Sequence, residues 1–200
     1  MTPCRFFAIV PAAGHSRRMG RPKLLLPWHG NSILERVLSA WNQSRVTRTL
    51  VVVRQDDAAL RAICDAHDVD CICPAMPPRD MKQSVQCALE VIADRYQPAD
   101  CDAWLLAPAD MPNLTSELVD AVIRKHRADG TVIVPRCGSR TGHPVLFPWS
   151  TWQAVFQLAE NEGVNRLVSN QTETGNVEHV DWPASAAFDD IDTAEDFERQ

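Results

Sequence analysis

Thirteen consecutive residues, Pro11-Ala12-Ala13-Gly14-His15-Ser16-Arg17-Arg18-Met19-Gly20-Arg21-Pro22-Lys23, place small side chains and then four cations directly after the apolar run Phe6-Phe7-Ala8-Ile9-Val10. Small residues let a bound group approach the backbone N–H donors closely, and cations nearby neutralise it. No Asp or Glu precedes Glu35, so the local field is positive in a chain whose net charge is −6. These residue types in this order suit a polyphosphate. Two phosphate-loop patterns are excluded by spacing. Gly14 and Gly20 stand one residue too far apart for the nucleoside-triphosphatase loop, and Arg21 occupies the place of its Lys before Ser or Thr. The three glycines of the dinucleotide fingerprint are missing.

Further along, Asp110 follows the apolar run 102–107 and precedes Met111-Pro112. Its carboxylate is the first candidate for a hard-oxygen metal ligand, with an N-cap or turn aspartate as the alternative. His143, between Gly142 and Pro144, is expected in a stiff, exposed turn, where it either touches substrate or is an ordinary turn histidine. Arg140 lies in Gly138-Ser139-Arg140-Thr141-Gly142, a flexible, cationic stretch able to receive a phosphorylated group. Seven cysteines, an odd number with no paired Cys-x-x-Cys spacing, read as mostly buried thiols and not as a disulfide framework or zinc site. Cys71 and Cys73 should share one strand face.

The elements that must position these residues alternate between short apolar or β-branched runs and longer amphipathic ones. Strands are expected over 5–10, 48–53, 69–73, 102–107, 131–135 and at Val145-Leu146-Phe147; helices over 31–43, 56–67, 81–95, 114–128, 149–160, 162–170 and 193–199. Strands too apolar to alternate imply a mainly parallel, twisted sheet covered on both faces, a three-layer α/β/α arrangement that binds ligands beyond the carboxyl ends of its strands. Both Gly14 and Asp110 fall there. The proline-rich stretch 73–79 is expected to fold over a ligand. With 200 residues, 45% of them hydrophobic, one domain covering 1–200 is expected. Acidic composition argues against general nucleic-acid binding. The start lacks signal-peptide character and no apolar run nears ~18 residues, so a cytoplasmic protein is expected and no membrane association.

A strand followed by Ala-Ala-Gly-x-x-x-Arg-Met-Gly and Pro-Lys-Leu-Leu-Leu-Pro resembles the signature of molybdenum-cofactor cytidylyltransferases, relatives of the guanylyltransferase that makes molybdopterin guanine dinucleotide. Later segments match in order: Met81-x-x-Ser84, Ala109-Asp110-Met111-Pro112, Gly142-His143-Pro144-Val145-Leu146-Phe147 and Asp190-Ile191-Asp192-Thr193. The resemblance implies a Rossmann-like nucleotidyltransferase fold in which 1–112 mainly bind nucleotide and 113–200 mainly bind the acceptor. It implies transfer of CMP from CTP to a phosphorylated acceptor, molybdopterin favoured, with Mg²⁺ and release of pyrophosphate. By the same resemblance Ala12, Ala13, Gly14 and Ser84 bind the nucleotide, Arg18 the β- and γ-phosphates and Lys23 the α-phosphate. Asp110 and Asp192 hold the metal, although Asp192 could instead cap the last helix, with Asp190 as the substitute ligand. His143 and Arg140 are the acceptor-side candidates.

Three departures keep other readings open: Asp80 in place of the family's Gly before Met81, Ala109-Asp110-Met111 in place of Gly-Asp-Gln, and Pro11 in place of Leu. Asp80 and Lys82 would then add polar groups beside the base. The alternatives are a guanylyltransferase, a sugar-phosphate or methylerythritol-phosphate nucleotidyltransferase, and a non-catalytic accessory protein that hands the cofactor to a molybdoenzyme.

Overall fold

A computed structural model describes residues 3–14, 21–191 and 193–198. Its strands are β1 (Phe6–Pro11), β2 (Pro27–Trp28), β3 (Asn31–Ser32), β4 (Arg48–Val52), β5 (Asp70–Ile72), β6 (Ala103–Leu106), β7 (Val132–Cys137), β8 (Arg140–Thr141), β9 (Val145–Pro148) and β10 (Val177–Asp181). The α-helices are α1 (Ile33–Asn42), α2 (Ala58–Ala66), α3 (Met81–Tyr96), α4 (Ser116–Arg124), α5 (Asn165–Glu173) and α6 (Ala194–Glu198). Apart from the small β2–β3 hairpin, the strands form one sheet in the order β10-β7-β9-β6-β1-β4-β5, with β8 paired to β7.

Parallel pairing joins β6, β1, β4 and β5, and also β10 to β7. Strand β9 enters antiparallel between β6 and β7 and makes the sheet mixed. The apolar runs do not alternate with polar residues because both sheet faces are covered. Phe7, Ile9, Trp104 and Leu106 point to the layer containing Val85, Leu89 and Ile92 of α3. Ala8, Val10, Ala103 and Leu105 point to the other, with Leu34, Leu38 and Trp41 of α1 and Leu118 and Val122 of α4. The expected three-layer, mostly parallel α/β fold is therefore present. Among the described residues, no helix is long and apolar enough to cross a membrane.

Several local expectations are corrected. The segment expected as a helix over 149–160 is a 3₁₀ helix, Trp149–Gln157. Side chains three apart eclipse in that geometry, and Trp149 stacks on Trp152 with centroids 5.4 Å apart. Strand β10 was not expected: its sequence Val-Glu-His-Val-Asp buries only Val180, as befits a strand at the sheet edge. The cysteines are less buried than expected, since only Cys64 is fully so and the other six are half-buried. The sulfurs of Cys71 and Cys73 do lie on one face, 3.8 Å apart.

Candidate active site

Two neighbouring parallel strands, β1 and β6, deliver the first parts of the site at their carboxyl ends. Pro11-Ala12-Ala13-Gly14 after β1 and Pro108-Ala109-Asp110 after β6 line a cavity of about 440 Å³, together with Lys23, Leu24, Pro78, Arg79, Asp80, Met81 and Ser84. The loop is anchored at its base, where Ala12 donates its N–H to the carbonyl of Val52 at 2.8 Å. Ser84 lies in the first turn of α3, and its hydroxyl donates to the carbonyl of Asp80 at 3.3 Å. Arg18 and Asp192 lie outside the described residues. Of the expected nucleotide and metal residues, the structure thus brings Ala12, Ala13, Gly14, Lys23, Ser84 and Asp110 to one cavity.

Lys23 sits at the start of a short 3₁₀ turn, Lys23–Leu25, that follows Pro22. Its Nζ meets Oδ2 of Asp110 at 2.5 Å, and both side chains are mostly buried, 12% and 18% exposed. The second oxygen, Oδ1 of Asp110, is buried with no hydrogen-bond partner. A buried carboxylate oxygen left unpaired is costly unless something else satisfies it. A hard divalent cation would do so, and Asp110 therefore fits the metal role chemically. The C-terminal segment docks at the same point, because Ile191 donates its N–H to the carbonyl of Asp110 at 3.0 Å. Asp192, the expected second ligand, is the next residue in the chain. Among the described residues, no group of three or more His, Cys, Asp or Glu side chains is close enough to hold a metal.

A second cavity, about 710 Å³, adjoins the first at Asp80 and Met81. Leu106, Val134, Val145, Phe147 and Val164 form an apolar bed, while Lys82, His143, Asn161 and Asn165 add polar groups. His143 was expected exposed; it is half-buried in this wall. The reason is a hydrogen bond of its Nδ1 to the carbonyl of Leu106 at 2.9 Å, which pulls the ring against the end of β6. A carbonyl only accepts, so Nδ1 carries the proton and Nε2 keeps a lone pair while the ring is neutral. Burial pushes this imidazole below the ordinary histidine value, opposed by the Leu106 carbonyl and by the charges of Asp110 and Asp190.

Arg140 is placed differently. Its guanidinium pairs with Asp189 at 2.6 Å and donates to the carbonyl of Phe188 at 3.1 Å, tying β8 to the short 3₁₀ segment Ser185–Phe188. It does not line either cavity. Lys82 does not sit beside the phosphate loop: its side chain lines only the larger cavity, and Asp80 caps α3 by accepting from the N–H of Gln83 at 2.8 Å. Trp104 belongs to the core, stacked on Phe147 with centroids 4.2 Å apart. None of the tryptophans lines either cavity.

Sequence reasoning missed Arg54. Its Nη1 donates to the carbonyl oxygens of Gly14 at 3.1 Å and Ala13 at 3.4 Å, while Nη2 holds Asp57, the N-cap of α2. Arg54 thus occupies the carbonyls that would otherwise repel a phosphate on the loop. In sequence it lies forty residues from Gly14, next to Asp56 and Asp57, and reads as a solvated ion pair. Nothing in its immediate neighbours signals the loop.

The chain belongs to the family of MobA-like NTP transferase domains, which it matches over residues 8–176. It is 28% identical over 94% of its length to the purine catabolism protein PucB of Bacillus subtilis, covering 91% of that protein. It is 31% identical to a molybdenum cofactor guanylyltransferase of Xanthomonas euvesicatoria over 58% of this chain, a match that spans about half, 52%, of that relative. Among solved structures, Rv0371c of Mycobacterium tuberculosis superimposes with a TM-score of 0.81, at 23% identity, over 99% of this chain and 98% of that one. That protein has also been solved in complex with manganese. The fold and the family define a nucleotidyltransferase.

Proposed function

We propose that the protein transfers CMP from CTP to the terminal phosphate of a phosphorylated acceptor, molybdopterin being favoured, and releases pyrophosphate. The observation that carries this reading is the Lys23–Asp110 pair at the phosphate loop, with one Asp110 oxygen buried and unpartnered. A cation and a carboxylate in contact, next to backbone that can approach phosphate, are what attack on an α-phosphorus requires. Both reactants are anions, so alignment and neutralisation dominate and no covalent nucleophile is needed.

In this reading Ala12, Ala13, Gly14 and Ser84 seat the triphosphate. Lys23 neutralises the α-phosphate as charge builds there, and Arg18 the leaving β- and γ-phosphates. Asp110 and Asp192 would hold a divalent cation, Mg²⁺ by expectation, which supplies further neutralisation of the triphosphate. The docking of Ile191 on Asp110 supports Asp192 as the second ligand. The smaller cavity is lined wholly by residues up to 110 and the larger one mostly by residues beyond 130, which supports a nucleotide half over 1–112 and an acceptor half over 113–200. His143 then meets the acceptor through Nε2, as a hydrogen-bond acceptor, while Arg140 acts on the acceptor side only through the wall it braces.

The choice of CTP rests on Ala12-Ala13-Gly14, the order of the cytidylyl signature. A second reading, GTP, is favoured by the relative named as a guanylyltransferase. Competition kinetics with both nucleotides at equal concentration decide between them. CTP should be preferred by at least ~10-fold, which one or two hydrogen bonds supply. Equal or better use of GTP would replace the cytidylyl reading with the guanylyl one and leave the roles of Lys23 and Asp110 in place.

A further inference from the structure

The larger cavity contains a cation for which nucleotidyl transfer gives no use. Lys82, the second residue of α3, is only 7% exposed. Its ammonium donates to the carbonyls of Ala159 at 2.6 Å and Glu160 at 3.1 Å. Among the described residues, no carboxylate lies within ion-pair distance of it. Three acids also line this cavity, each with a partner other than Lys82: Glu160 with Arg79 at 3.8 Å, Glu162 with Arg166 at 3.5 Å, and Asp80 with the N–H of Gln83.

An ammonium has three N–H donors, and the two carbonyls take two of them. A buried charge without a counter-charge is unfavourable, and the group that removes the penalty most effectively is an anion. Lys82 faces a space of about 710 Å³ with an apolar bed of Leu106, Val134, Phe147 and Val164. Pockets of this kind use a few convergent polar groups to fix the orientation of a ligand whose body is apolar or aromatic. The attacking phosphate must reach Lys23 and Asp110 in the other cavity, so it is not the group that Lys82 meets.

We propose that Lys82 recognises a second anionic group on the acceptor, carried on the body that fills the larger cavity and distinct from the phosphate that attacks. The inference rests on the reading of that cavity as the acceptor site. It makes Lys82 a specificity-determining residue: a neutral acceptor of the same shape leaves the ammonium uncompensated and binds more weakly.

The test uses the full chain and two fluorescent probes of nearly equal shape, pterin-6-carboxylate and the neutral pterin-6-carboxamide. The parent should bind the carboxylate at least ~10-fold more tightly, as one charge-assisted hydrogen bond allows. Lys82→Met should lose that discrimination while its affinity for the neutral probe stays within about 2-fold, and Lys82→Arg should keep it. Because Lys82→Met also frees the carbonyls of Ala159 and Glu160, the comparison of the two probes on the parent stands by itself. Equal affinity of the parent for both probes, no saturable binding of either, or discrimination that persists in Lys82→Met overturns the proposal. Competition by pterin-6-carboxylate against molybdopterin in pyrophosphate release tests the acceptor reading separately. Lys82-dependent binding without such competition upholds the anion site and contradicts that reading.

Discussion

Asp110 gives one oxygen to Lys23 and keeps the other buried, and that division decides what substitutions there should do. Asp110→Asn preserves size and removes the charge that a divalent cation needs. Divalent-cation-dependent transfer should fall on the order of 10²-fold or more, the scale lost when one preorganised charge is removed from a transition state. Unfolding in denaturant should remain a single transition, with a loss of about 1–3 kcal/mol because the ion pair with Lys23 is replaced by a weaker contact between an ammonium and a neutral amide. Full activity in this variant would move the metal site elsewhere. Lys23→Ala should lose activity on the same scale. An exposed cation would leave stability untouched when removed; with the side chain 12% exposed and paired, the same 1–3 kcal/mol loss is expected. The sequence marks both residues by their motifs. It cannot mark their contact, because 87 positions separate them and only the adjacency of β1 and β6 brings them together.

At the scale of elements, α1 is fixed at its start by a reciprocal capping box. Ser32 accepts from the N–H of Glu35, and the Glu35 carboxylate accepts from the N–H of Ser32 at 2.6 Å. Ser32→Ala should cost about 1 kcal/mol, measurable as a shift in denaturant midpoint at constant slope. The bonds from Ser32 hold the Glu35 carboxyl below its ordinary value of 4.5. The folded state therefore binds fewer protons there than the unfolded chain, and its contribution is complete above pH 4.5 and lost as pH falls through the lower folded value. Glu35→Gln should flatten that part of the acid limb; an unchanged limb would show that the bond does not persist in solution. Gly142 makes a second, steric demand. A Cβ there would lie 2.2 Å from the Phe188 ring, which packs over the turn that carries His143. Gly142→Ala should cost about 1–3 kcal/mol by overpacking, and should cost less in a Phe188→Ala background, which lacks the Cγ and ring atoms that the new Cβ meets. A neutral Gly142→Ala would mean that the two segments separate readily.

Over the whole molecule, the strands at the sheet centre were legible because burial on both faces leaves β1, β6 and the last three residues of β4 without polar side chains. Edge strand β10 was not, since only Val180 of its five residues is buried and nothing apolar repeats. The lining of the smaller cavity could be read largely from the segment after β1, Lys23 and one aspartate. The larger cavity could not, because it gathers residues from α3, β6, β7, β9, the turn after residue 158 and α5, and no single stretch carries its pattern. Lys82 shows the difference: in sequence it is an extra cation beside a nucleotide motif, while in the fold it faces the other cavity. Arg54 and Arg140 show the same limit, since each acts on a segment at least forty residues away.

The proposed reaction is acceptor-dependent nucleotidyl transfer at the carboxyl ends of β1 and β6. It is tested most directly by measuring pyrophosphate release from the full chain in Mg²⁺ with each of the four ribonucleoside triphosphates, with and without molybdopterin. Release should require molybdopterin and be fastest with CTP. Absence of molybdopterin-dependent release with every nucleotide would contradict it.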